Sequence, residues 1–177
     1  MSKKKRKSRS KKGDQIKSTL KYEISGLSIF GFSAIAMAKL GAVGTSFVFL
    51  SRFFMGEWYI LLLLGLMAFG VFLMWKREIP FFFKRQLVGI YFIILAILLS
   101  SHIILFENLS SNNGFTQPSV ILNTWEIFWM ELQGTASTID LGGGMIGAIL
   151  YAVFHFLFAD AGSKFISFLL IVENIQL

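Results

Sequence analysis

The sequence has no cysteine, only two prolines and only two histidines among its 177 residues. Without cysteine, disulfide bonds, iron–sulfur clusters and thiol catalysis are excluded. Charged residues are also scarce, at 15% of the chain, where an average soluble domain has ~25%. Hydrophobic residues make up 55%. Such a composition is typical of a protein that lies in a membrane rather than in water.

Apolar runs separated by short polar segments fill most of the chain. A membrane-spanning helix takes ~20 residues, so the length leaves no room for a soluble catalytic domain of ordinary size. We predict an all-α fold: a polytopic integral membrane helical bundle with about four transmembrane helices and one re-entrant or packed glycine-rich helix. The predicted spans lie near 22–38, 58–75, 87–106, and 141–159 and/or an incomplete one from 165.

Positive charge is concentrated at the N-terminus, where ten of the seventeen lysines and arginines precede residue 22. We predict that residues 1–21 form a disordered basic arm, and that residues 22–177 form the transmembrane domain. The 76–85 loop carries four more basic residues, whereas the 107–140 loop carries none. The positive-inside rule therefore puts the arm in the cytoplasm and the 107–140 loop outside.

The arm itself is expected to bind anionic lipid headgroups and to fix the topology. Nucleic acid is the alternative partner, although only Tyr22 is near enough to stack on bases. Ile24–Ala38 also has the length and A-x-A spacing of a signal peptide, but a long basic region precedes it and further spans follow. The basic residues proposed for lipid contact are Lys3, Lys4, Lys5, Arg6, Lys7, Arg9, Lys11 and Lys12.

A glycine-rich motif, residues 141–148, opens the last long apolar run. It matches G-x-G-x-x-G, but a dinucleotide site needs a preceding strand and a βαβ unit, and a P-loop needs Lys and Ser or Thr where Ala148 and Ile149 stand. Small residues four apart instead favour close packing against another helix, in the same chain or in a second one. The packing candidates are Gly142, Gly143, Gly144, Gly147 and Ala148.

The two histidines, His102 and His155, lie in apolar segments. An ionisable group within a membrane is a candidate proton relay or metal ligand, but a hydrogen-bonded structural histidine is the favoured interpretation here.

In the external loop, Asn123 and Glu126 have the spacing of an N-cap and its N3 partner. An amphipathic helix at the outer interface, or a docking helix for a partner, is predicted to follow. Its aromatic residues are Trp125, Phe128 and Trp129.

Several blocks of this sequence resemble the start of the bacterial SpoIIIE/FtsK DNA translocases. The opening Met1–Arg9 and the segment Lys21–Leu27 are similar to that family's beginning. The further similar blocks, in the same order along the chain, are Leu40–Gly44, Arg52–Trp58, Leu99–His102, Asn123–Glu126 and Asp140–Ala148. Together they cover nearly the whole chain, to about Val172.

The resemblance implies the N-terminal four-helix membrane domain, with both ends cytoplasmic, which anchors a hexameric ATPase that pumps DNA at the division septum. The linker, the P-loop motor and the DNA-reading winged helix are absent from these residues, and Glu173–Leu177 depart from the family's last span. The chain is therefore expected not to be an enzyme, and to stop within its last span.

The functions that the resemblance implies are membrane anchoring, septum targeting and self-association. The chain is expected to form a homo-oligomer and to bind divisome proteins. No cofactor is expected, since ATP and Mg would belong to the motor, and DNA would be reached only through it. The expected location is the bacterial cell membrane at the septum. A small independent channel or transporter is the alternative function.

Overall fold

A computed structural model describes residues 2–111, 119–134 and 140–175. The side chains of residues 2–18, and of most residues beyond 158, lie outside that description. Among the described residues there are helices and no strand, so the all-α prediction is confirmed. The helices are α1 Ser2–Met37, α2 Gly41–Met55, α3 Tyr59–Lys76, α4 Arg85–Ser111, α5 Val120–Leu132 and α6 Gly144–Ile175, with a 3-10 turn at Gly56–Trp58.

The basic arm belongs to α1, which begins at Ser2. This differs from the disorder predicted for residues 1–21. Lysine and arginine are good helix formers, and an apolar helix directly follows, so the helix extends backwards without the cost of a new nucleus. The side chains of Lys3 to Lys12 lie outside the described ones, and the proposed lipid contacts stay a prediction.

α1 ends in a Schellman motif that reverses the chain. The Leu40 N–H donates to the Ile35 carbonyl and the Lys39 N–H to the Ala36 carbonyl, at 3.0 and 2.9 Å. Lys39 takes a left-handed conformation with φ of 51°, as the residue after the last helical turn does in this motif. The reversal brings α2 back against the last turns of α1, where Phe32 and Phe47 stack with ring centroids 5.6 Å apart.

α1 and α3 form an antiparallel pair that is held by a close glycine contact. A methyl group built on Gly26 would lie 2.6 Å from the Gly70 carbonyl oxygen, so the two backbones touch. One end of the pair is joined by the Glu23–Arg77 ion pair at 2.7 Å. Towards the other end, Ala36 and Leu63 are buried together. Backbone approach of this kind lets helices pack by dispersion over a long contact.

α2 does not run alongside this pair from end to end. Because α1 and α3 are antiparallel, the end of α1 and the start of α3 lie at the same end of the pair. α2 connects those two points, and its Val48 packs between Ala36 and Leu63. It therefore lies across that end of the pair, which we call the α2 end.

α4 and α6 form the second pair, and they run in the same direction where they touch. His102 of α4 meets Gly147 and the Tyr151 ring, whereas Phe106, one turn on, meets Tyr151 and His155. Successive turns of α4 thus contact successive turns of α6. The first half of α4 has little cover, since four consecutive residues, Ile90–Ile93, are exposed.

Two helical stretches among the described residues are long and apolar enough to cross a membrane: Gly41–Lys76 and Arg85–Ser110. The first contains α3 and the second is α4, which correspond to the spans predicted near 58–75 and 87–106. Gly144–Phe158 is a shorter apolar helical stretch. The α6 helix continues through residues 159–165 without a break. Whether 141–159 spans the membrane or is a re-entrant or packed helix, and the four-span count, stay predictions.

The α1–α3 contact can be tested with single methyl groups. Gly70→Ala places a methyl 2.7 Å from the Gly26 carbonyl oxygen, and such overpacking costs ~1–3 kcal/mol. Gly65→Ala in the same helix meets nothing within 4 Å, and alanine favours a helix by up to ~1 kcal/mol over glycine. In thermal unfolding of the purified protein, Gly70→Ala should lower the midpoint and Gly65→Ala should hold or raise it. Equal effects of the two changes would contradict the contact.

Candidate functional site

The glycine turn, residues 142–144, packs directly on the backbone of α4. A methyl built on Gly143 would overlap the Leu98 carbonyl oxygen, and one on Gly147 would lie 2.8 Å from the same atom. Gly142 has a φ of 55°, and its N–H donates to Asp140 Oδ1 at 2.7 Å. The aspartate thus holds the turn before the helix starts, as short polar side chains do in turns.

The same glycines also touch the 3-10 turn that leads into α3. The Glu57 N–H donates to the Gly142 carbonyl at 3.0 Å. Gly56, with φ of 58° and ψ of −127°, takes a conformation that only glycine adopts readily. A methyl on it would overlap the Gly142 carbonyl. Three segments, from α4, from α6 and from the 3-10 turn, therefore meet backbone to backbone. We call this the glycine junction.

Four of the five predicted packing residues lie in this junction: Gly142, Gly143 and Gly147 meet α4, and Gly144 meets the backbone of Phe54 and Gly56. Gly142, Gly143, Gly144, Gly147 and Ala148 are all buried. The sequence left open whether their partner helix lies in the same chain, and the structure places it there, in α4. The dinucleotide interpretation finds no support, because no strand precedes the motif among the described residues.

The two histidines have different surroundings. His102 is 1% exposed, and its Nδ1 has no hydrogen-bond partner among the described residues. At this nitrogen, therefore, the structure does not show the hydrogen bond that the favoured interpretation of His102 predicts. His155 is exposed, and its ring lies 5.4 Å from the Tyr151 ring. No group of three or more His, Cys, Asp or Glu that could hold a metal occurs in the described part of the chain.

A cluster of charged residues, Arg52, Glu57 and Glu131, lies beside the junction. Arg52 Nη2 bonds Glu57 Oε1 at 2.5 Å, and Arg52 Nε lies 3.0 Å from Glu131 Oε1, without the alignment of a hydrogen bond. The guanidinium also lies over the Tyr59 ring, 5.7 Å from its centroid. One cation thereby connects α2, the 3-10 turn, α3 and α5. The separation of 79 positions between Arg52 and Glu131 hides this pairing from any local sequence pattern.

Glu131 is the least well stabilised carboxylate of this cluster. Its side chain and that of Arg52 are each 18% exposed, and Glu131 Oε2 accepts no hydrogen bond from the residues that the structure describes. Burial raises the pKa of Glu131 above its ordinary value, the charge of Arg52 opposes this, and the charge of Glu57 adds to it. Two carboxylates therefore share one guanidinium, and the cluster is overall acidic.

α5 buries two polar and two apolar residues and leaves large apolar residues exposed, unlike an ordinary amphipathic helix. Its buried residues are Asn123, Thr124, Ile127 and Phe128. The exposed large apolar residues are Ile121, Leu122, Trp125, Trp129 and Leu132. Of the predicted interfacial residues, Phe128 contacts Phe53 with ring centroids 5.0 Å apart, while Trp125 and Trp129 stack on each other outside.

The predicted N-cap of α5 is wrong. The helix begins at Val120 with Ser119 as its N-cap, so Asn123 lies inside the first turns. Its side-chain nitrogen donates to the Ser119 carbonyl at 3.1 Å. The helix therefore starts one turn earlier than predicted: Val120 packs against the buried cluster of Leu99, Ile103 and Tyr151, whereas Ile121 and Leu122 lie on the exposed outer face. That face contains a shallow groove of about 290 Å³ lined by Leu122, Trp125, Glu126 and Trp129.

Comparison with known proteins accounts for the order of the sequence blocks. Over 172 residues, or 97% of the chain, it is 49% identical to the DNA translocase SpoIIIE of Bacillus subtilis. The chain is homologous to the N-terminal region of the SpoIIIE/FtsK DNA translocases. It is 46% identical to the DNA translocase FtsK of Halalkalibacterium halodurans over 90% of its length, and 33% identical to that of Listeria monocytogenes over 98%.

The chain spans about a fifth of these relatives, with 22% of SpoIIIE and 20% of the Halalkalibacterium FtsK covered. The matched region is the one without the motor, so the chain itself is not the ATPase. No family model matches the sequence. No solved structure matches it either.

The glycine junction is expected to fail when one methyl group is added. Gly143→Ala should separate α4 from α6, because the new methyl overlaps a backbone carbonyl that cannot rotate away. Since the chain has no cysteine, cysteines at Phe106 and Tyr151 can be joined by a short thiol crosslinker without side reactions. Gly143→Ala should reduce the crosslinked yield severalfold. Gly31→Ala, whose methyl meets nothing within 4 Å, is the matched control, and an equal loss there would argue against the junction.

The charged cluster predicts a stability that depends on pH. A carboxyl group whose pKa is raised by folding binds its proton more tightly in the folded state. Its contribution is therefore complete in acid and is lost as the pH rises through the raised pKa of Glu131. The unfolding midpoint should fall over that interval in the wild type and stay flatter in Glu131→Gln. Glu126→Gln removes a carboxylate from the same helix and should retain the wild-type slope. An unchanged slope in Glu131→Gln would refute the assignment.

Proposed function

We propose that this chain is the membrane-anchoring and self-association module of a DNA translocase. The observation that carries the proposal is the match to SpoIIIE over 97% of the chain, at 49% identity. The two apolar stretches, Gly41–Lys76 and Arg85–Ser110, agree with an anchoring role. DNA and ATP would be handled by a motor outside these residues, so we expect no cofactor here.

In this proposal the N-terminus and the α3–α4 loop lie in the cytoplasm. The support is the distribution of basic residues, ten of which precede residue 22. The α2 end of the bundle, the glycine junction and α5 then lie on the outer side. The exposed pair Trp125 and Trp129, at 48% and 47%, would rest in the outer headgroup layer, where tryptophan is favoured.

Self-association and septum targeting are the further parts of the proposal. The glycine motif is already occupied by α4, so contacts between copies must use other faces. We propose that such copies form a homo-oligomer in the cell membrane at the septum and bind divisome proteins there. The resemblance to septal translocases supports this part.

One fusion tests both the orientation and the location. A fluorescent protein that matures only in the cytoplasm is attached before Met1, and the fusion is expressed in a dividing bacterium. We expect fluorescence in the envelope that is enriched at septa relative to an unrelated multispan protein. Replacing Lys3, Lys4, Lys5, Arg6, Lys7, Arg9, Lys11 and Lys12 by glutamine should reduce the fluorescent fraction, because the inside charge bias is weakened. A dark fusion would overturn the orientation, and an even envelope signal would overturn the targeting.

A further inference from the structure

The connection between α3 and α4 exposes large apolar side chains next to positive charges. Trp75 and Phe83 are each 80% exposed, and Phe81 is 65% exposed. The basic residues among them, Lys76, Arg77, Lys84 and Arg85, are exposed as well, with Glu78 as the one acidic residue. We call residues 75–85 the aromatic loop. Soluble surfaces rarely leave so much contiguous aromatic area uncovered, and such patches mark binding sites.

The aromatic loop is held in place at both ends. At its start, the Arg77 N–H donates to the Leu73 carbonyl at 3.0 Å, and its guanidinium pairs with Glu23. At its end, the Lys84 carbonyl accepts from the N–H groups of Leu87 and Val88 at 2.9 and 3.0 Å. The loop thus passes directly from the cap of one helix into the first turn of the next.

Of the three phenylalanines in the aromatic loop, one packs on α3 and the other two are more exposed. Phe82 packs on Phe69 of α3, with ring centroids 5.7 Å apart, which anchors the loop to the helix. Phe81 and Phe83 meet edge to face at 6.3 Å and stay exposed. The exposed apolar surface of Phe81 and Phe83 therefore extends that of α3 past its last residue. Lys84 and Arg85 follow directly in the sequence.

This surface fits one occupant best, a bilayer leaflet with anionic headgroups. We propose that Phe81 and Phe83 insert at the boundary between headgroups and acyl chains, while Lys84 and Arg85 bind headgroup phosphates. The proposal rests on the proposed membrane function, which places the ends of α3 and α4 at the bilayer surface. Apolar rings beside basic side chains are the pattern of interfacial segments, and charge complementarity selects the anionic lipid. A nucleic acid would need the rings free of lipid, which their continuity with α3 disfavours.

Trp75 serves as a local probe of this surface. Trp58, Trp125 and Trp129 are changed to phenylalanine, and the full chain is reconstituted in vesicles of phosphatidylglycerol and phosphatidylcholine. In one set only the phosphatidylglycerol carries brominated acyl chains, and in the other only the phosphatidylcholine does, at equal mole fraction. Quenching of Trp75 then reports which lipid surrounds the aromatic loop, and the common contribution of the basic arm is present in every variant.

We expect brominated phosphatidylglycerol to quench more strongly, and Lys84→Gln to reduce this preference by roughly threefold to fivefold. Lys39→Asn is the matched control, because it removes one exposed positive charge at the α2 end, and asparagine tolerates the left-handed φ of 51° at that position. Its preference should equal that of the wild type. Phe83→Ser should lower the quenching by both lipids, and circular dichroism checks that the helices are retained.

Each contrary result has its own meaning. Quenching by neither lipid would show that the helix end is not in a bilayer, and would overturn the membrane function together with this inference. Equal quenching by both lipids, or a preference that Lys84→Gln leaves unchanged, would overturn this inference alone. A Trp75 response to a single-stranded oligonucleotide without lipid preference would overturn it in favour of nucleic acid.

Discussion

Backbone contact at the glycine junction is the constraint on which the rest of the arrangement depends. The Leu98 carbonyl lies where a side chain on Gly143 would have to be, and the Gly142 carbonyl lies where one on Gly56 would be. Because carbonyl groups cannot change rotamer, this contact fixes the distance between α4, α6 and the 3-10 turn more tightly than packed side chains do. The junction therefore fixes where the helices that leave it begin.

The charged cluster depends on this geometry. Arg52 stands at the end of α2, four residues before Gly56, and Glu57 follows that glycine directly. The short turn places both on one side, where Glu131 of α5 meets them. A half-buried ion pair of this kind adds little net stability but penalises other arrangements, since a lone charge in the same place is costly. The cluster therefore helps to specify how α5 docks, alongside the packing of Phe128 on Phe53.

The sequence predicted those parts of the fold that follow from composition and local pattern. Long runs of leucine and isoleucine predicted α3 and α4 close to their bounds, and the small residues at 142–148 predicted a packing site. Which helix would fill that site depends on contacts between residues far apart in sequence, such as Leu98 and Gly143, and no periodicity encodes them. The buried face of α5 was missed for a related reason. Polarity alone predicts that Asn123 and Thr124 face outward. Each side chain instead donates to a carbonyl four residues earlier, those of Ser119 and Val120, so both can be buried.

The exposed stretch Ile90–Ile93 determines where along its length α4 is held by protein. Four consecutive residues of an α-helix cover most of its circumference, so around Ile90–Ile93 α4 has little cover from the part of the chain that the structure describes. Further along, Gly143 and Gly147 pack on it at Leu98 and His102. In a bilayer a lone helical half costs little, because lipid tails are as apolar as leucine. α4 is thus fixed by backbone contact at Leu98 and joined at its start to a loop that Phe82 anchors on α3. The two contacts hold α4 at separate points along its length, and the stretch between them, Ile90–Ile93, is the part whose neighbours a bilayer would supply.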